Sequence, residues 1–290
     1  MEQYETKKID FDMRDTVSGL YRQYGFNDSA HAFNSLYIWA KDMKITTHVN
    51  EDLYAARLCD CGPNTWFFPV GSAEHKKEFI ADRLQAKDLT LRYMTEEDVR
   101  FLSENFPDEF LVSPADSDSE YVCDRDTIEN LPGKTLNRKK RYVKKLLKEH
   151  TFEIKKLTEE TIPDVRYILG IWRRNKDYDP DCNDLGALDA MIDHLSELEL
   201  SGIVIYMDDV PCSVMAGYLL SDDTIDCCLQ KSAINTHGLQ YYVRQQFSYT
   251  QPKEIQFYNF EEDLGLEGLR QAKEFMHPCG MIKMYTGKQK

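Results

Sequence analysis

The chain has 290 residues and a formal net charge of −14, with 42% hydrophobic, 30% charged and 12% aromatic residues. Such a composition belongs to a folded globular protein: the aromatic share excludes a disordered chain, and the acidity disfavours a surface that grips RNA broadly. No apolar run is long enough to cross a bilayer and the N-terminus lacks the apolar core of a signal peptide, so the expected location is cytoplasmic, with neither stable membrane insertion nor DNA binding.

Residues 11–24 read as a helix closed by Gly25, and Asn27-Asp28-Ser29 caps a second helix over 30–43, with Phe33, Leu36, Tyr37 and Ala40 on one face. Strands follow at 45–49, 53–59 and 65–70, separated by Asn50-Glu51-Asp52 and Gly62-Pro63-Asn64. Next come a helix over 72–87, a strand over 89–94 and a short helix to Asn105 whose capping box joins Thr95 to Asp98. Residues 110–118 read as loop and 121–125 as a strand. After the Pro132-Gly133 break a basic helix runs over 137–150.

The order then begins again. A strand at 152–157 is followed by helices at 162–176 and 184–199, and by a hairpin of 202–207 with 210–220 across Asp208-Asp209. A strand at 224–231, a helix at 235–249, a strand at 254–259, a helix at 266–277 and a strand at 281–285 complete it. One plan is used twice, which suggests a structural duplication. The expected domains are 1–130 and 131–290, with the boundary in 128–135 and the basic helix joining them.

Eight cysteines are scattered and none forms C-x-x-C; Cys59-Asp60-Cys61 and Cys227-Cys228 are too close for ordinary disulfides. They read as free thiols, and no metal site is expected.

The basic helix runs against the charge of the whole. From Lys134 to Glu149 eight basic residues face one acid, a local charge of +7. At 100° per residue, Tyr142, Val143, Leu146 and Leu147 share an apolar arc, with Arg138, Arg141, Lys144, Lys145 and Lys148 opposite. Lys139 falls in the apolar arc instead, so it is expected to point toward a cleft. A charge run is commonly only a wet helix face; the other reading is a site for polyphosphate or RNA.

A second feature is Asn259-Phe260-Glu261-Glu262-Asp263-Leu264-Gly265-Leu266-Glu267-Gly268-Leu269-Arg270-Gln271-Ala272-Lys273. A strand delivers Asn259 and three acids to its C-terminal end, where α/β folds bind ligands. Gly265 and Gly268 allow a tight entry into the next helix, where Arg270 and Lys273 share a face. The plainer alternative is that the acids cap the helix and Arg270 pairs with Glu274.

This run resembles the C-terminal domain family of phosphatidylglycerol lysyltransferases, which is related to the Fem-type aminoacyltransferases. The doubled order of elements is that of the GNAT (N-acetyltransferase) fold. The resemblance implies an α+β chain of two tandem GNAT-like domains, with mixed, mostly antiparallel sheets flanked by helices. It also covers Arg138-Lys139-Lys140, where Lys140 stands at a place often held by Arg, and Phe33, Asn34, Tyr37 and Trp39, which read as packing. The implied activity is attack of an amine or hydroxyl on an activated acyl carbonyl, without a covalent enzyme intermediate.

The roles expected follow. Asp263 or Glu261 is the proton acceptor, and Lys231 steadies an oxyanion or phosphate unless it is a strand-end surface lysine. Asn259, Arg270 and Lys273 bind substrate, and Trp172 walls a pocket unless it is core. Arg138, Lys139, Lys140, Arg141 and Lys145 hold the donor's phosphates, from aminoacyl-tRNA or, alternatively, acyl-CoA. A single glycine at each strand-to-helix turn, Gly71 and Gly238, disfavours ordinary acetyl-CoA binding. Because the multi-span portion typical of full-length lysyltransferases is not in this sequence, a small-molecule or peptide acceptor is expected. A non-catalytic RNA- or nucleotide-binding module is the remaining alternative. The acidic run and Lys139 are expected to face one another across a cleft.

Overall fold

The structure, a computed structural model, describes residues 4–25, 27–175 and 184–290. The first half opens with α1 (Arg14–Tyr24), which buries Val17, Leu20 and Tyr21, and α2 (Phe33–Trp39). Then come β1 (Ile45–Val49), β2 (Leu53–Leu58), β3 (Thr65–Phe67), β4 (Val70–Gly71), α3 (Ala73–Gln85), β5 (Thr90–Met94) and α4 (Glu96–Asn105). Ser72 caps α3, and Thr95 and Asp98 form the expected capping box on α4. Residues read as loop contain β6 (Phe110–Pro114), whose largely exposed side chains give no apolar alternation to read. β7 (Glu120–Asp124) and α5 (Arg125–Asn130) lead into the basic helix α6 (Gly133–Glu149).

The second half holds β8 (Phe152–Lys156), α7 (Ile162–Asn175), α8 (Leu185–Asp193), β9 (Ser201–Met207), β10 (Val210–Leu219) and β11 (Thr224–Ser232). It ends with α9 (Leu239–Thr250), β12 (Phe257–Asn259), α10 (Glu267–Glu274), β13 (Gly280–Ile282) and β14 (Tyr285–Gln289). Cys182 and the expected end of the α7 helix at Lys176 lie outside the described residues. On α6, Leu136, Val143 and Leu146 face the core, whereas Leu147 is 47% exposed and does not share the packing arc expected of it.

Among the described residues there are two seven-stranded sheets. One runs β1-β2-β3-β5-β14-β6 with β4 beside β2; the other runs β13-β7-β12-β11-β10-β9-β8. Sheet membership crosses the expected boundary at 128–135 in both directions. β14 lies antiparallel between β5 and β6 of the first sheet. In return β7 lies antiparallel between β12 and β13 of the second. The single strand expected at 281–285 is therefore two strands, and Lys283-Met284 hands the chain from one sheet to the other. Met284 is buried at this crossing, donating its N–H to Ser119 Oγ (3.0 Å) and accepting from Ala115 N (2.8 Å).

Each sheet has one parallel pair, β3 with β5 and β11 with β12. The second pair is short: Thr224↔Phe257, Ile225↔Tyr258 and Asp226↔Asn259. Beyond it β11 continues to Ser232, while the chain after Asn259 turns away. The strands part and leave a wedge. One apolar core runs through both halves, joining Val17, Leu36 and Tyr54 to Ile168, Leu188 and Val214. A polar tie reinforces it, since Ala187 N at the start of α8 donates to Asp42 of the first half (2.8 Å).

Candidate functional site: a cavity between the two halves

Where β11 and β12 part, a cavity of about 650 Å3 opens, lined by Trp39, Phe67 and Tyr93 from the first half and Trp172, Lys231 and Glu261 from the second. One end is acidic. Glu261 sits at φ 59°, in the left-handed region, and its N–H donates to Asn259 Oδ1 (2.8 Å). Asn259 Nδ2 in turn donates to Glu120. Glu120 arrives on the exchanged strand β7 and also accepts from Ser29 N (2.9 Å), Ser29 Oγ (2.9 Å) and Ala30 N (3.3 Å). Asp226 on β11 is fully buried, and among the described residues neither carboxyl oxygen has a partner at hydrogen-bond distance.

Burial and mutual repulsion push these acids up, because a low-polarity environment disfavours charge and a neighbouring carboxylate disfavours it further. Burial, with Asp28 beside it, raises Glu120 to about 7. Burial, then Glu262, raises Glu261 to about 8. Asp226 and Glu262 are raised as well, chiefly by burial. Lys273 lines the cavity beside them; its Nζ donates to Phe260 O (2.5 Å) and Glu262 O, and burial lowers its pKa. Glu261 is thus mostly protonated at neutral pH and titrates near where proton transfer is most efficient.

Asp263 is a different kind of group. It is buried, lies outside the cavity lining, and accepts from Tyr121 Oη (2.8 Å), Arg270 Nε (2.9 Å) and Gly265 N (2.8 Å). Although burial pushes its carboxyl up, the Arg270 and Tyr121 hydrogen bonds hold it below the usual carboxylate range. A carboxylate so occupied is a poor proton acceptor, so of the two expected acceptors the geometry favours Glu261. Arg270 is spent on Asp263, not on Glu274, and stays outside the lining, as does the fully buried Asn259. Both hold the turn that presents Glu261.

Lys231 does face the cavity, with its Nζ 2.7 Å from Asp184 Oδ2 and 4.1 Å from the Trp172 ring centroid. None of Arg138, Lys139, Lys140, Arg141 and Lys145 lines it. Arg138 Nε donates to Tyr142 Oη (2.6 Å), Lys140 Nζ donates to Asn130 O (3.2 Å), and Lys145 lies 3.7 Å from Glu149. Lys139 alone of these five is half-buried, 4.6 Å from the ring centroid of Phe275, the residue before the cavity-lining Met276. It packs on that ring and does not line the cavity that holds Glu261 and Glu262, so the expected facing of Lys139 and the acidic run across it is not seen.

The N-terminal turn of α9 is covered. A Cβ on Gly238, whose φ is 98°, would stand 2.8 Å from the Tyr142 carbonyl carbon, and the Tyr142 and His237 rings stack at 5.1 Å. The basic helix crosses the place where a helix N-terminus would otherwise accept phosphate.

A second buried polar group adjoins the network. His31 Nδ1 is 2.7 Å from Asp28 Oδ1 and its Nε2 is 3.1 Å from Phe68 O. Both partners are acceptors, so the ring carries both protons. Burial opposes that charge, yet Asp28 outweighs it and the His31 pKa is raised.

The sequence matches the family described as phosphatidylglycerol lysyltransferase, C-terminal, over residues 21–286. The chain belongs to this family. No match was found among curated proteins. A conserved protein of unknown function from Bacteroides thetaiotaomicron superposes with a TM-score of 0.88 at 18% identity, covering 99% of this chain and 100% of that one. The C-terminal domain of a putative lysylphosphatidylglycerol synthetase from Agrobacterium fabrum gives 0.66 at 12% identity, covering 96% and 92%. FemX gives 0.62 at 9% identity, covering 98% and 96%. The fold is the tandem GNAT-like one expected of a member of this family.

Sequence reasoning passed over Glu120, Asp226 and Arg244. Asp226 did leave a trace, as an acid inside the strand-like run Thr224-Ile225-Asp226-Cys227-Cys228-Leu229. Arg244 left another, between Val243 and Phe247 of an otherwise core-facing helix. Glu120 had none, because its partners lie on segments far away in sequence.

Proposed function

We propose that this protein transfers an aminoacyl group from an activated ester donor to an amine or hydroxyl acceptor inside the cavity. The observation that carries the reading is Glu261, a carboxyl titrating near 8 on the wall of a cavity of about 650 Å3 at the parting of the parallel strands. Its ionised form takes the proton from the acceptor as the acceptor's nitrogen or oxygen bonds to the donor carbonyl. The tetrahedral intermediate then expels the donor's alkoxide, which leaves as a hydroxyl after taking back a proton. Lys231 is placed to steady the oxyanion, with Asp184 fixing its position. The cavity thiols Cys227 and Cys228 are pushed up by burial and stay protonated, so no covalent step is assigned to them.

An aminoacyl-tRNA is the donor that suits the exposed cations of α6, as the resemblance to the Fem-type aminoacyltransferases also favours. The soluble-acceptor reading and the cytoplasmic location remain part of this proposal; the observation beside them is that no described helix is long and apolar enough to cross a membrane. Acyl-CoA is the poorer donor, since main chain covers the α9 N-terminal turn. Binding of charged tRNA, uncharged tRNA and acetyl-CoA at two salt concentrations tests the choice. Salt-steep tRNA binding that weakens when Lys139, Arg141 and Lys145 become Ala, with single-turnover transfer lost in Glu261→Gln, is the expected result. Tight acetyl-CoA binding without tRNA affinity would overturn the donor. Binding of tRNA with no transfer from any aminoacyl ester would leave a binding module.

A further inference from the structure

Arg244 is 8% exposed and lines the cavity. A guanidinium has five N–H donors. Among the described residues one is used, Nε to Gln230 Oε1 at 2.8 Å. No carboxylate pairs with it among the described residues. The remaining compensation is aromatic: the Phe260 and Tyr241 ring centroids lie 5.4 and 5.9 Å from its Cζ. Burial lowers its pKa, and only thiols and Tyr241 pull it back. A buried, unpaired cation is costly, and folds retain one chiefly where something anionic comes to it.

We propose that Arg244, braced by Gln230, is an oxyanion-binding subsite that takes a carboxylate or phosphate of the molecule entering the cavity. The inference rests on the proposed transfer for its biological meaning only, since anion binding is read without turnover. Two Nη groups on a planar fork, neither donating to a described residue, match the two oxygens of one such anion, which a lysine would not. The acidic wall at Glu261 and Glu262 lies on the same cavity as this cationic point. The ligand class is therefore one bearing a nucleophilic amine or hydroxyl toward the acids and a single oxyanion toward Arg244.

The test is thermal denaturation of the whole chain titrated with inorganic phosphate and, separately, acetate. Wild type should be protected at millimolar anion, and the anion protecting at tenfold lower concentration names the source as phosphate or carboxylate. Arg244→Met should lose that protection at least tenfold while its ligand-free melting temperature holds or rises, because an apolar side chain replaces an unpaired buried charge. Gln230→Glu keeps the arginine but gives it an internal carboxylate, so it too should lose protection and remain folded. A ligand-free Arg244→Met that melts lower, with protection retained in Gln230→Glu, would make Arg244 a packing residue and overturn the proposal. So would equal protection in all three proteins, or none in wild type. If anion binding depends on Arg244 but no aminoacyl ester is ever consumed, the transfer reading falls and the subsite stands.

Discussion

Glu120 offers the most direct handle on the buried network. Its carboxyl is 1% exposed and titrates near 7 instead of 4.5. A raised acid favours the protonated fold, so its contribution is greatest below the unfolded value and is lost as pH rises through the folded one. The interval from 4.5 to about 7 corresponds to about 3 kcal/mol, at about 1.4 kcal/mol per pH unit. Asp226 and Glu262, also raised, carry the same sign, and so do two further neighbours. Glu261 is raised to about 8, and the raised His31 loses its stabilisation as pH climbs through its folded value. Asp263 has the opposite sign, but its window lies below the usual carboxylate range. Urea unfolding followed by tryptophan fluorescence should therefore give a free energy that falls by about 3 kcal/mol or more between about pH 5 and about pH 8. Glu120→Gln removes the titrating group. Its amide must face Asn259 Nδ2, which already donates there, so stability drops at every pH. What decides the matter is the slope, which should flatten by up to about 3 kcal/mol over the same interval. Wild-type stability that rises from pH 5 to pH 8, or parallel slopes in the two proteins, would refute the argument.

Asp263→Asn should cost about 2 kcal/mol in urea unfolding, because Arg270 and Tyr121 lose a charged acceptor. In single-turnover assays it should slow transfer less than Glu261→Gln does. Gly238→Ala places a Cβ 2.8 Å from Tyr142 main chain at a φ of 98°, and a drop of about 2 kcal/mol or more is expected from thermal denaturation. Ending the chain after Met284 removes β14 from between β5 and β6. Hydrogen exchange should then lose protection in both flanking strands, and an added peptide of residues 285–290 should restore it.

Much of this fold was legible because local rules govern it. The Thr95–Asp98 capping box, the β9–β10 hairpin and the inward face of α6 each depend on residues close in sequence. What was hidden depends on distant partners. β6 is a strand because β14 lies beside it, not because of its own pattern. Asp263 was readable as a charged residue at a strand end, but its partner Tyr121 is 142 positions away, and that partner is what removes it from proton transfer. Glu120 and Asn259 meet only through the exchanged strand.

That exchange also dictates when the protein can be assembled. The ribosome finishes β5 and β6 long before residues 285–289 exist, so the strand that belongs between them is missing for the time it takes to add about 170 residues. At cellular elongation rates this is roughly ten to thirty seconds. Through that interval the nascent first half carries an unfilled slot with two sets of unsatisfied main-chain groups, which invites pairing with other chains. β7 has the complementary problem, as it waits for its neighbours β12 and β13. The molecule therefore closes only once residues 285–289 have been made, in a late step that completes both sheets together and, through Glu120, the wall of the cavity.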